Sequence, residues 1–192
     1  MRKTDVRTIK TKLKLKKHFI LLLKDKPFET ISISELTKLC KLNRNTFYLH
    51  YKTLDDLYVN LKNEVFLLFL KPLETLDLDD TAYNPHSLIS LYSSLLQDEI
   101  TSQFLFNTQH SNTLIHELTN KLSTYIFNEY KKIIYSQDNK YLVNILFILY
   151  GFFYTHKELS SSKKIDNSII QERISILLNK GLFKTYKNTL YR

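Results

Sequence analysis

Leu15, Phe19, Leu22 and Leu23 recur at helical spacing and place one apolar stripe on a helix predicted from about Thr8 to Lys24. Pro27 follows, and a helix stops before a proline because the ring blocks the preceding residue from helical geometry. Three helix starts then come in close succession. Ser32-Ile33-Ser34-Glu35 has the form of a capping box, in which the serine hydroxyl takes an orphan N–H and the glutamate reaches back. Asn43 is an N-cap for a helix from Arg44 to Tyr51. Thr53-Leu54-Asp55-Asp56 caps a third, with its acids at the positive end of the helix dipole. The first two are about two turns long and are joined by Cys40-Lys41-Leu42, which makes a helix-turn-helix.

The helix that begins at Leu54 is predicted to end at Leu70, before Lys71-Pro72. Residues 77–84 are polar and loop-like, and Asn84-Pro85 opens a helix through Leu96. Further helices are predicted near Thr101–Asn107, Asn112–Ile134, Tyr141–Lys157 and Asn167–Lys184, with Ser160-Ser161-Ser162 as the loop before the last. No strand alternation is present. The expected fold is all-α, divided into an arm and head at residues 1–53, a linking helix at 54–71 and a helical body at 72–192. Two glycines and three prolines in 192 residues agree with long uninterrupted elements.

Charge divides along the same line. Residues 1–64 hold 15 Lys/Arg against 7 Asp/Glu, whereas residues 65–192 hold 13 against 12. A basic head on a near-neutral body is the pattern of a chain that grips phosphates at one end, although a solvated basic face has the same composition. The lone cysteine, Cys40, permits no disulfide within the chain and points to a cytoplasmic home. The apolar run from Tyr141 to Tyr154 is too short for a membrane span of about 20 residues, so no membrane partner is expected.

On the helix from Arg44 to Tyr51, Phe47 and Tyr51 share a face and should pack inward against Ile33, Leu36 and Leu57. Asn45 and Leu49 then point outward, flanked by Thr46 and Tyr48. An outward leucine suits a thymine methyl in a major groove, and Arg44 is placed for bidentate pairing to guanine. Tyr48, His50 and Lys52 suit phosphates, which fix register without reading sequence.

The run from Thr46 to Leu57, with Lys26-Pro27-Phe28-Glu29-Thr30-Ile31-Ser32-Ile33-Ser34-Glu35-Leu36 upstream, closely resembles the head of TetR-type regulators over about residues 8–65. Beyond that the likeness is one of helical layout, including Gly151 in an apolar helix. Lys41 stands where the family usually has glycine, and Leu54 where it often has lysine. The resemblance implies base reading by Arg44, Asn45 and Thr46, phosphate contacts from Tyr48, His50 and Lys52, and help from Ser34. The basic arm from Arg2 to Lys12 would either enter a minor groove or remain disordered. It further implies a homodimer formed through the last two helices, a double-stranded palindromic operator and control by a small effector. Repression is the expected output, with activation by the same fold as the alternative.

Six scattered histidines form no ligand cluster, and the two glycines make no nucleotide loop, so no metal or cofactor is expected. No nucleophile–base pair suggests an enzyme, the rival reading in which the body cavity does chemistry. Another rival, an adaptor with a vestigial head, is disfavoured by the retained Arg44, Tyr48 and Lys52. In the body, Phe66, Phe69, Tyr92, Phe106, Tyr125 and Phe147 are read mainly as core, a few of them as lining for a flat apolar ligand. Asn144, an amide in an apolar helix, needs a partner: a backbone group, another subunit or that ligand.

Overall fold

The computed structural model describes residues 3–74, 98–129 and 140–161, with four single positions between 169 and 176. All regular structure among these residues is helical: α1 (Lys3–Asp25), a 3₁₀ turn (Phe28–Thr30), α2 (Ile33–Leu39), α3 (Arg44–Tyr48), α4 (Leu54–Glu74), α5 (Glu99–Phe106), α6 (Ser111–Glu129) and α7 (Lys140–Ser161). The predicted helices at 85–96 and 167–184 lie outside the described residues. No helix among those described is long and apolar enough to cross a membrane.

The capping signals act largely as the sequence indicates. Ser32 Oγ accepts from the Glu35 N–H at 3.1 Å. The Glu35 carboxylate is held by Lys26 Nζ, which ties α2 to the end of α1 instead of closing the box. Asn43 Oδ1 accepts from the Asn45 N–H at 2.8 Å. At α4 the box is reciprocal, with the Asp56 N–H on Thr53 Oγ1 at 3.1 Å and the Thr53 N–H on Asp56 Oδ2 at 3.2 Å.

Four boundaries differ most from expectation. α1 begins at Lys3, because nothing from there to Thr8 breaks a helix and lysine and arginine are good helix formers. α3 ends at Tyr48, where the His50 N–H bonds the Phe47 carbonyl at 2.9 Å and tightens the last turn. α4 continues through Pro72 to Glu74, and α7 through Ser160 to Ser161. The missing N–H of Pro72 removes one bond in the last turn of a 21-residue helix.

The core runs continuously from head to body. Leu15, Phe19 and Leu23 of α1, Leu36, Phe47, Leu57 and Leu61 are each 2% exposed or less. Phe19, Phe28 and Tyr58 meet edge-on or tilted at 5.1–6.4 Å, and Tyr58 carries the contact to Phe104 of α5 at 5.6 Å. Two hydrogen bonds from backbone donors reinforce the junction: Gln109 N–H donates to the Leu23 carbonyl at 3.1 Å, and Phe28 N–H to the side-chain His110 Nε2 at 3.2 Å. The ion pairs Lys16–Glu64 and Lys62–Glu117 join α1 to α4 and α4 to α6.

Candidate nucleic-acid interface

The turn between α2 and α3 sets the presentation of α3. Lys41 has φ 51°, in the left-handed region where a non-glycine residue costs about 1–2 kcal/mol. That conformation lets the Leu42 N–H reach the Thr37 carbonyl at 2.9 Å and the Lys41 N–H the Lys38 carbonyl at 3.0 Å. This pair of bonds is the Schellman closure of α2, and half-buried Leu42 packs beneath it. Cys40 caps α2 from inside the core, its thiol pushed up to about 11 by burial, with nearby Lys14 opposing.

Phe47 anchors α3. It is fully buried, and its ring meets Tyr51 at 5.9 Å and Tyr48 at 5.7 Å. With Phe47 fixed inward, Arg44, Asn45, Tyr48 and Leu49 are exposed and Thr46 is half-buried. Leu49 is 80% exposed, more than any other large apolar side chain among the described residues. The Arg44 guanidinium donates to Tyr48 Oη at 3.1 and 3.3 Å and lies over that ring at 5.7 Å.

The flanking groups lie around this face. Ser34 is exposed on the first turn of α2. Lys52 is exposed, with its N–H on Asp56 Oδ2 at 2.9 Å. His50 is half-buried, and both burial and the charge of Lys12 push its ring below the usual histidine range. Lys12 Nζ lies 6.0 Å from the Tyr51 ring centroid, which brings α1 alongside the end of α3.

The arm from Arg2 to Lys12 is helical from Lys3 onward, so between Lys3 and Lys12 it is ordered. No signal in the sequence marked Lys16, a lysine only 9% exposed and paired with Glu64. It borders an open cleft of about 480 Å³ between α1, α4 and α5, lined by Leu13, Leu61, Leu68, Glu64 and Phe104 among others.

Of the seven body residues singled out for a ligand, five have described side chains. Phe69 and Phe106 are buried, each packed on Phe153, at 5.0 and 6.3 Å. Phe66 is half-buried under Lys121 Nζ at 5.4 Å, beside a crevice of about 20 Å³, room for about one water. Tyr125 is partly buried against the core. Phe147 is 63% exposed and so lies on the surface rather than along an enclosed cavity. Asn144 belongs to α7, but its side chain, like the whole of Tyr92, lies outside the described residues. Among the described residues no group of three His, Cys, Asp or Glu is placed to hold a metal ion.

No protein-family model matches this chain, and no curated protein matches it.

Proposed function

We propose that the chain is a DNA-binding transcriptional regulator of the TetR type, a non-catalytic homodimer that represses from a palindromic operator and responds to a small apolar effector. The observation that carries this reading is the outer face of α3, where Arg44, Asn45, Tyr48 and Leu49 are exposed while Phe47 fixes the helix from below. A leucine left 80% exposed gains nothing in water. Against a thymine methyl it is buried, and it contributes to discrimination between bases.

The surrounding chemistry supports the same reading. Arg44 pairs bidentately with guanine in this scheme, and Asn45 and Thr46 read neighbouring bases. Tyr48, His50, Lys52 and Ser34 hold phosphates and set the register. Two heads related by a two-fold axis would meet half-sites about 34–36 Å apart, or a multiple of that. α4 connects head to body, and the Lys16–Glu64 and Lys62–Glu117 pairs tie its orientation to α1 and α6. An effector acts through its preference between two body states, typically about 1–3 kcal/mol of coupling, and operator DNA must weaken effector binding by the same factor.

The test is titration of duplexes cut from the DNA flanking the gene with wild type and Arg44→Ala. Wild type should prefer one duplex that contains an inverted repeat. Arg44→Ala should lose about 1–3 kcal/mol on it and become indifferent at one base position. Equal binding to every duplex by both proteins overturns the assignment of α3.

A further inference from the structure

The helix predicted from Thr8 begins at Lys3, so the basic N-terminal segment is helical as well. Arg7, Lys10 and Lys14 follow one another at intervals of three and four residues, so they share one edge of α1. All three are exposed. Lys12 turns toward Tyr51 at the end of α3, where its charge also acts on His50. Among the described residues, no ion pair neutralises Arg7, Lys10, Lys12 or Lys14; Glu64, Glu99 and Glu35 pair instead with Lys16, Lys17 and Lys26.

This part of α1 also stands clear of the core. Leu15 is its first fully buried residue, whereas Val6, Ile9 and Leu13 are 39–52% exposed. Several like charges therefore gather on one edge of α1 at helical spacing, an arrangement that disfavours the free helix and favours a polyanion beside it. An α-helix with side chains is about 10–12 Å across, while the minor groove is about 6 Å wide. A helical segment cannot enter that groove as an extended arm would. Its charges can reach only the sugar–phosphate backbone. Arg7 to Lys14 spans about 10 Å of helix, and one strand carries about three phosphates in that length measured along the duplex axis, at about 3.4 Å each.

We propose that the first turns of α1 form a phosphate track, in which Arg7, Lys10 and Lys14 extend the contact with duplex DNA beyond α3 without reading bases. The inference rests on the DNA-binding reading above and adds a second contact surface to it. Lys12 marks where the track joins the end of α3.

The experiment uses the full chain and a fluorescein-labelled mixed-sequence duplex of about 30 base pairs, with affinity followed against salt. The log–log slope reports phosphates neutralised, at about −0.9 each. The variant Arg7→Gln/Lys10→Gln/Lys14→Gln should flatten the slope by up to about 2.7 and weaken binding at least about tenfold at 0.1 M salt. The charge-conserving Arg7→Lys/Lys10→Arg/Lys14→Arg should restore it. Base preference on the flanking-DNA duplexes should be the same as in wild type. A body control, Lys71→Gln/Lys121→Gln/Arg173→Gln, removes the same charge and should leave the slope nearly unchanged. Should the triple glutamine variant lose helix by circular dichroism, Lys10→Gln alone carries the test, with a change of about 0.9. An unaltered slope while Arg44→Ala still weakens binding overturns the track and leaves the α3 reading intact. An equal loss in the body control, or an altered base preference, also overturns it. Failure of wild type to bind any duplex at low salt overturns both readings.

Discussion

Arg44 lies along Tyr48: its guanidinium donates two hydrogen bonds to Tyr48 Oη, at 3.1 and 3.3 Å, and sits over the aromatic ring at 5.7 Å. A free arginine loses about 0.5–1.5 kcal/mol of side-chain freedom when a partner immobilises it. Tyr48 has already restricted this one. Tyr48→Phe, which keeps the ring and removes the acceptor, should weaken binding to the preferred duplex by about that amount. Apart from any phosphate contact of its own, the Tyr48 hydroxyl acts through Arg44, so the double variant Arg44→Ala/Tyr48→Phe should lose less than the sum of the two single losses. Fluorescence anisotropy on the four proteins of the cycle measures this. Strictly additive losses contradict a linked role.

Phe47 bears on the stability of the whole face. Its ring is fully buried and contacts Tyr48 and Tyr51, and no smaller side chain fills that volume. Phe47→Ala should cost about 3–5 kcal/mol in a denaturant melt. Hydrogen exchange should quicken first in α2 and α3. A melt within error of wild type would sink the account of how α3 is anchored.

Lys41 is the residue that closes α2 from the left-handed region, at φ 51°. Glycine takes that conformation without a Cβ penalty, but it also makes the unfolded chain more flexible. The penalty of about 1–2 kcal/mol exceeds the entropic offset of about 0.4–1, so Lys41→Gly should stabilise the protein by about 0.5–1 kcal/mol. Lys41→Val should destabilise it, since a β-branched residue fits that region worst. Denaturant midpoints in the order Gly, Lys, Val are expected; any other order rejects the strain.

These cases show why the helix starts and the inner face of residues 32–57 were legible in the sequence. Ser32, Asn43 and Thr53 announce helix starts through hydrogen bonds made within a few residues, and Phe47 and Tyr51 announce an inner face by local spacing. Such signals need no knowledge of distant contacts. The body is different. Phe69, Phe106 and Phe147 look alike in sequence, yet two are buried and one is 63% exposed. Their fate depends on which helix each meets, and that is decided by packing between residues some 40 to 80 positions apart. Lys16 was illegible for the same reason, because its partner Glu64 lies 48 residues away. The helical start at Lys3 was masked by charge: a dense basic run reads equally as a solvated tail, and propensity alone carries little weight there.

His156 on α7 gives a pH prediction. It is fully buried, with its ring 4.3 Å from that of Phe106, and burial pushes its pKa down to about 4 from an ordinary 6.5. The folded value lies below the unfolded one, so as pH falls the unfolded chain takes up the proton first. Stability should therefore be intact above about pH 6.5 and decline between there and about pH 4. The decline approaches about 3 kcal/mol, at about 1.36 kcal/mol per unit. His156→Phe removes the titrating group and should flatten that part of the curve. Urea melts of both proteins from pH 7.5 to 4.5 make the comparison. Parallel curves would show that another group governs acid sensitivity.

Phe147 supplies the last prediction, on assembly. It stands on α7, an apolar helix in which Leu149 and Phe153 face the core at 3% and 2% exposure. Phe147 is 63% exposed on that same helix, and Ile169 further along the chain is 48% exposed. An isolated apolar side chain on a surface means little, but a phenylalanine opposite the buried side of such a helix fits the proposed dimer interface. Aromatic side chains at the centre of an interface commonly account for about 2 kcal/mol or more of binding. Phe147→Asp would bury a charge without a partner there, so it should shift wild-type dimer toward monomer while leaving the monomer folded. In the proposed dimer two heads engage two half-sites together, so the same variant should lose affinity for a palindromic duplex far more than for a single half-site. Sedimentation at micromolar concentration and titration of both duplexes measure the two effects. If wild type is already monomeric, or Phe147→Asp dimerises as wild type does, α7 does not form the interface.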